Sequence, residues 1–303
     1  MHPFSDRYPK PALPICNKPQ LQYQIEMIRG IGITEILLVI GHLGHEIVQV
    51  LGDGRSLGVT IRYVEQTKPL GIANALGQLE RFVNSPVLLM LGDIFFVAND
   101  LQKMVTIMRE REASAVIAVK HEEDPRAIQR NFAIIQNDDG SVRRVIEKPR
   151  HSVTNYKGCG VYLFDLQVFD AIRRTPRTAM RDEYEITDSI QIMVDDGLPV
   201  YPAEVIEWDV NLTFPADVMK CNLFQLERLG IDTLIGEATE IHPGAELHRA
   251  VVGDRVAIRH PIRINDTVIF PDTVVTSTYD IDRFIITPEH EIDCRTFIRE
   301  END

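Results

Sequence analysis

The chain has 303 residues, with 32 Lys and Arg against 45 Asp and Glu, for a net charge of −13 at neutral pH. That length fits one large domain or two moderate ones, and 44% hydrophobic with 25% charged residues suffices to bury a core. The acidic balance argues against non-specific nucleic acid or an anionic membrane as partner, so an anionic substrate must be held by local positive charge. Four cysteines, Cys16, Cys159, Cys221 and Cys294, are scattered with no CxxC pair and no zinc spacing. They read as free thiols in a reducing cytosol, and the expected location is cytoplasmic. No stretch approaches the length of a membrane span, and Met1–Lys10 lacks the apolar centre of a signal peptide.

In chain order, Pro9, Pro11 and Pro14 make the first segment stiff and extended, with Lys10 inside it. This is either a proline-rich tail with a solvated lysine or a rigid mount for that lysine. Pro19 opens a helical pattern with Leu21, Ile25 and Ile28 on one face, stopped by Gly30 and Gly32. Ile36–Ile40 is apolar throughout, as in a parallel strand covered on both faces. His42 and His45 read as loop or helix-start residues, because no third ligand is nearby. A short helix over Glu46–Leu51 and a strand over Thr60–Val64 follow. Glu65–Ala75 then reads as a strand end, a turn and a helix start. The strand Val87–Leu91 ends in Gly92–Asp93, and a helix and the strand Ala115–Val119 repeat the rhythm. Such alternation indicates an α/β sheet that is mostly parallel, with ligands beyond the carboxyl ends of its strands.

From Asn131 the pattern becomes a hairpin around Asp139–Gly140, closed by Glu147, Lys148 and Pro149. A strand over Gly158–Phe164, a helix over Glu185–Asp196 and a strand over Pro199–Ile206 lead to Trp208–Asp209. A helix from Ala216 to Leu229 carries the chain away. Beyond it, apolar residues recur every six positions: Ile235, Ile241 and Leu247, then after a one-residue slip Val252, Ile258, Ile264 and Phe270. That period belongs to a hexapeptide β-helix, with an antiparallel tail as the alternative. The expected domains are 1–229 and 230–303.

Two carboxylates, Asp93 and Asp209, each follow a strand end and suit a Mg²⁺ that binds substrate phosphates; each is otherwise a cap or turn residue. Lys10 and Lys148 stand beside prolines, either as fixed charges for phosphate oxygens or as surface lysines. Gln66 and Gly71 bracket a loop that either lies against a flat ligand or merely turns.

Together, PKPALPICNKP, QTKPLGIANA, LLMLGD, VIEKP and EWD, followed by the hexapeptide tail, resemble the sugar-1-phosphate nucleotidyltransferases along nearly the whole chain. The resemblance implies a Rossmann-like α/β domain with a mostly parallel mixed sheet and a short C-terminal left-handed β-helix. It implies that Lys10 neutralises the triphosphate, Gln66 and Gly71 recognise the base, and Asp93 and Asp209 hold Mg²⁺. Glu147 would bind sugar hydroxyls and Lys148 the sugar phosphate. The partners implied are a nucleoside triphosphate, a sugar 1-phosphate and further copies of the chain. Three departures stand out. Phe132–Ala133 replaces an aromatic–glycine pair at the sugar, so that either the Ala133 methyl crowds the sugar or a shifted backbone accommodates it. Val210–Asn211–Leu212–Thr213 replaces a glycine–threonine turn after Asp209. The family's first strand and its GxGTR loop have no counterpart here, so a chain longer by about 15–20 residues is expected, one strand and its turn. The competing readings are a non-catalytic sugar-nucleotide-binding paralogue and acyl transfer by a tail carrying His242, His248 and His260.

Overall fold

The computed structural model describes residues 4, 7–151, 154–178 and 182–295. It divides into two compact units, one of residues 27–42 and 53–209, the other of 1–26, 43–52 and 210–303. The N-terminal segment and the helix Pro215–Leu229 therefore group with the tail, a division that differs from a boundary at 229/230. Residues 296–303, part of the expected tail domain, lie outside the described residues.

Ten strands build the first unit and its margin: β1 (Glu35–Ile40), β2 (Thr60–Glu65), β3 (Val87–Met90), β4 (Ile94–Ala98), β5 (Ala115–His121), β6 (Phe132–Gln136), β7 (Val142–Glu147), β8 (Tyr156–Phe164), β9 (Val200–Glu204) and β10 (Ile206–Asn211). The main sheet runs β9-β5-β8-β6-β7, with β3 also on β8. The expectation of a mostly parallel sheet fails here. β8 is antiparallel to β3, β5 and β6, β6 is antiparallel to β7, and the parallel ladder of this sheet is β9 on β5. The cause is the hairpin at Asp139–Gly140, which feeds a reversed β8 into the centre between strands of opposite direction. β1 and β2 pair in parallel as a separate sheet. Among the described residues no strand joins β1 to β3, although Leu37 and Val39 of β1 and Val87 and Leu89 of β3 pack on one core. These strands are accordingly half-buried where continuous apolar runs would normally be covered.

That core is centred on Phe132, Tyr162 and Phe164, whose rings stack at 5.9 and 5.7 Å. Gly158 makes the stack possible. A Cβ there would come within 1.8 Å of the Phe132 ring.

In the second unit Lys10–Ala12 forms a single 3₁₀ turn rather than extended chain. Pro11 falls in the first turn, where its missing N–H costs nothing. The next helix begins at Gln20, one residue after Pro19, which pairs in a two-residue ladder with Pro14. The tail is a parallel β-coil with three walls, each strand pairing with the residue 17 positions on: Ile235 with Val252, Ile241 with Ile258, Leu247 with Ile264. Spacings of six, six and five thus make one 17-residue coil, and the slip in the sequence recurs at every turn. Ile269, not Phe270, continues the interior row. Phe270 instead stacks on Phe4 at 5.5 Å and takes the edge of Tyr8 at 5.3 Å.

Candidate active site

The site-bearing feature is the edge of β8 opposite β5. Its first half pairs with β6 at Lys157 and Gly158, its second half with β3 from Val161 to Phe164. Between them the ladder opens at Gly160, whose φ of +69° accompanies an irregular register on β5. Gly160 O accepts the Leu91 N–H at 3.0 Å, and a Cβ at 160 would sit 2.4 Å from Ile94 Cδ1. Glycine is required by both conformation and space. Leu91 and Ile94 close the ladder over Gly160, so a ligand belongs beyond the carboxyl ends of the adjoining strands, where α/β sheets bind. The strand ends around it carry most of the residues singled out from sequence.

Asp93 lies in the turn between β3 and β4. β4 pairs with β10, Asn99 N–H donating to Val205 O at 2.9 Å and the Phe95 ring meeting the Trp208 edge at 6.0 Å. The start of β4 and the Asp209 end of β10 are therefore neighbours, and the two aspartates belong to one edge.

Gln66 and Gly71 are joined directly: Gln66 Nε2 donates to Asn74 Oδ1 at 3.1 Å and reaches Gly71 O at 3.5 Å. Gly71 has φ +96° and ψ 171°, and its missing Cβ would meet Tyr184 O at 2.5 Å. Tyr184 clamps the loop, its N–H donating to Leu70 O at 2.8 Å and its O accepting from Ala73 N at 3.1 Å. Three residues on, in the first turn of the helix Ile186–Asp195, Thr187 Oγ1 donates to Glu147 Oε2 at 3.3 Å. One bonded path thus runs from the Gln66 loop to the end of β7.

Lys148 comes directly after Glu147, exposed, with φ +43° and its N–H held by Asn131 O at 2.7 Å. That backbone turns the chain sharply out of β7 and presents the ammonium to solvent. Ala133 is fully buried, with Lys157 and Ile146 as register partners. Lys10 belongs to the other unit, half-buried in its 3₁₀ turn.

Sequence reasoning missed the group beside Asp209. Lys157, 3% exposed, donates to Asp209 Oδ1 at 2.7 Å and Oδ2 at 2.8 Å. Glu122 lies 3.6 Å from Lys157 and 3.1 Å from Lys120, and Lys120 is 3.8 Å from Asp209. Two lysines and two carboxylates close a neutral block. Burial pushes the Lys157 ammonium down, but Asp209, Cys159 and Glu122 outweigh it and leave its pKa above the ordinary lysine value. Burial likewise pushes Glu122 up, while the Lys120 hydrogen bond, the Asp124 N–H and Lys157 bring it below the usual carboxylate range. The available signal was Lys157 itself, a lysine in the otherwise apolar strand YKGCGVYLF, since lysine is almost never buried unpaired.

For a divalent ion the donors fit in part. Mg²⁺ keeps waters and takes one or two carboxylates besides phosphates, and half-buried Asp93 can serve so. Asp209 already has both oxygens on one ammonium. A doubly charged ion within about 4 Å of that ammonium would meet a repulsion of about 8 kcal/mol at an effective dielectric of about 20. Among the described residues no three His, Cys, Asp or Glu side chains converge as a metal cluster.

The nucleotidyl transferase family matches residues 1–210. A low-salt glycan biosynthesis nucleotidyltransferase, Agl11, of Haloferax volcanii is 36% identical over 230 residues, spanning 75% of this chain and 63% of the relative, under two thirds of its length. A glucose-1-phosphate thymidylyltransferase of Streptomyces griseus is 30% identical over 284 residues, 92% of this chain and 77% of that protein. Among solved structures, a Bacillus anthracis protein named as a glucose-1-phosphate thymidylyltransferase and crystallised with sucrose has a TM-score of 0.65. It is 28% identical and covers 74% of this chain and 89% of its own. With the family match spanning more than half of its length, the chain is one of the nucleotidyl transferases. Within that class, this chain belongs to the sugar-1-phosphate nucleotidyltransferase family.

Proposed function

We infer that the protein joins a nucleoside triphosphate to a hexose 1-phosphate, releasing pyrophosphate and an NDP-sugar. What supports this reading is the family match over residues 1–210, together with the bonded path from the Gln66–Gly71 loop through Tyr184 and Thr187 to Glu147, next to Lys148. The Gln66–Gly71 loop, clamped by Tyr184, offers backbone to a base. Glu147, oriented by Thr187, takes sugar hydroxyls, and Lys148 and Lys10 neutralise phosphate oxygens. The sugar phosphate is already ionised and attacks the α-phosphorus in line, so no protein base is needed. Catalysis is positioning plus charge neutralisation. Mg²⁺, held by Asp93 and the phosphates, would supply further neutralisation when bound.

The same reading takes the coil as left-handed, the working protein as a cytoplasmic homo-oligomer, and residues 230–303 as a module appended to 1–229. The test is selective. Glu147→Gln and Lys148→Met should raise KM for the sugar phosphate tenfold or more while leaving KM for the triphosphate within about twofold. Equal effects on both substrates would remove the assignment.

A further inference from the structure

We propose that Asp209 is not a metal ligand but the counter-ion of buried Lys157, leaving the divalent ion to Asp93 and the substrate phosphates. This rests on the nucleotidyl-transfer reading and concerns one residue of it. Both Asp209 oxygens lie within hydrogen-bond distance of a single ammonium. The two side chains are only 4% and 2% exposed, so a cation that keeps its waters has no room at this carboxylate. The charges close without a metal: Lys157 and Lys120 against Asp209 and Glu122. An added divalent ion would leave the block doubly positive. The side of the block nearest solvent is Lys120, at 22% exposure, and a cation approaching there meets an ammonium first.

The block has a mechanical consequence. Lys120 and Glu122 end β5 or come just after it, Lys157 begins β8, and Asp209 lies near the end of β10. Four charges from three strands pin the edge on which Asp93 sits. Asp209 and Lys157 are positioning residues, acting on the site through the strand ends they hold.

The experiment measures Mn²⁺ binding to the whole protein in the presence of a nucleoside triphosphate, from the electron paramagnetic resonance of free Mn²⁺. The variants are Asp93→Asn, Asp209→Asn and Lys157→Met. Asp93→Asn is expected to raise the Mn²⁺ Kd at least tenfold. Asp209→Asn should lower the melting temperature yet leave that Kd within about twofold. Lys157→Met leaves a buried carboxylate without its ammonium, so it should lower the melting temperature, and adding Asp209→Asn to it should recover part of that loss. A tenfold rise in Kd for Asp209→Asn would overturn the proposal. So would a Lys157→Met, Asp209→Asn protein that melts no higher than Lys157→Met alone. Should the parent bind no Mn²⁺ with the triphosphate, the nucleotidyl-transfer reading itself fails. Should it bind and only Asp209→Asn behave like Asp93→Asn, this inference alone fails.

Discussion

Gly71→Ala gives the most quantitative test of the loop assigned to the base. Gly71 has φ +96° and ψ 171°, a region open essentially to glycine, where another residue is strained by about 1–3 kcal/mol. The added methyl would also sit 2.5 Å from Tyr184 O, 2.8 Å from its N and 3.0 Å from its C. All three are backbone atoms and cannot rotate away. Relief requires the loop to part from Tyr184, losing Tyr184 N–H to Leu70 O and Ala73 N–H to Tyr184 O. Each such hydrogen bond is worth about 1 kcal/mol net. Strain and lost bonds together cost about 3–5 kcal/mol as the loop parts from Tyr184. A loop that shifts further relieves part of that strain and weakens triphosphate binding instead. Thermal unfolding and separate KM values distinguish the two outcomes. The melting temperature should fall by at least about 6 °C, or KM for the triphosphate should rise several-fold with KM for the sugar phosphate nearly unchanged. Gly140→Ala is the control, because its φ is +83° but nothing lies within 4 Å of the added methyl. It should cost about 1 kcal/mol and leave both KM values alone. A Gly71→Ala protein identical to the parent in stability and KM would refute the clamp.

Gly158→Ala should destabilise by several kcal/mol, since the new methyl overlaps the Phe132 ring and the ring cannot leave its stack without emptying the core. A melting temperature within about 2 °C of the parent would contradict this. The charge block sets two limits on stability. Glu122 has a depressed folded pKa, so its contribution is present above the ordinary value of 4.5 and is lost as pH falls through the folded value. Lys157 has a raised folded pKa, so its contribution is present below 10.5 and is lost as pH rises through the folded value. Urea midpoints should therefore fall less steeply in the acid limb after Glu122→Gln and less steeply in the alkaline limb after Lys157→Met. Limbs as steep as the parent's in both variants would contradict the assignment. All four cysteines are buried, and burial pushes their thiols up, Cys16 and Cys294 to about 12 and Cys159 and Cys221 well above the ordinary thiol value. A thiol reagent at neutral pH should label none before unfolding, and rapid labelling of any would contradict their burial.

Periodicity makes the elements legible, and pairing stays hidden. Apolar runs at Ile36–Ile40, Val87–Leu91 and Ala115–Val119 all fall on strands, because a short continuous hydrophobic run bounded by turn residues suits a sheet, although the first two are only half-buried. Their direction is not legible in the same way. The rule that alternating helices and strands build a parallel sheet takes no account of a hairpin that sends a reversed β8 through the middle. In the tail the period itself encodes the coil, and the slip between Leu247 and Val252 is the fifth-residue corner of every turn. Motif residues come together where short bonded paths join them, as in Gln66–Gly71 and Thr187–Glu147. The Lys157–Asp209 pair joins residues 52 positions apart on strands that are not consecutive. No local pattern carries such a contact, although an isolated lysine in an apolar strand signals that some carboxylate must meet it.

Nucleotidyl transfer itself is tested most directly by pyrophosphate release from nucleoside triphosphate plus hexose 1-phosphate, over four bases and several sugars, with Asp93→Asn beside the parent. Release is expected to need both substrates and a divalent ion, to yield an NDP-sugar in equal amount, and to fall at least a hundredfold in Asp93→Asn while the variant stays folded. Release that ignores the sugar phosphate, or an Asp93→Asn protein as active as the parent, would contradict it.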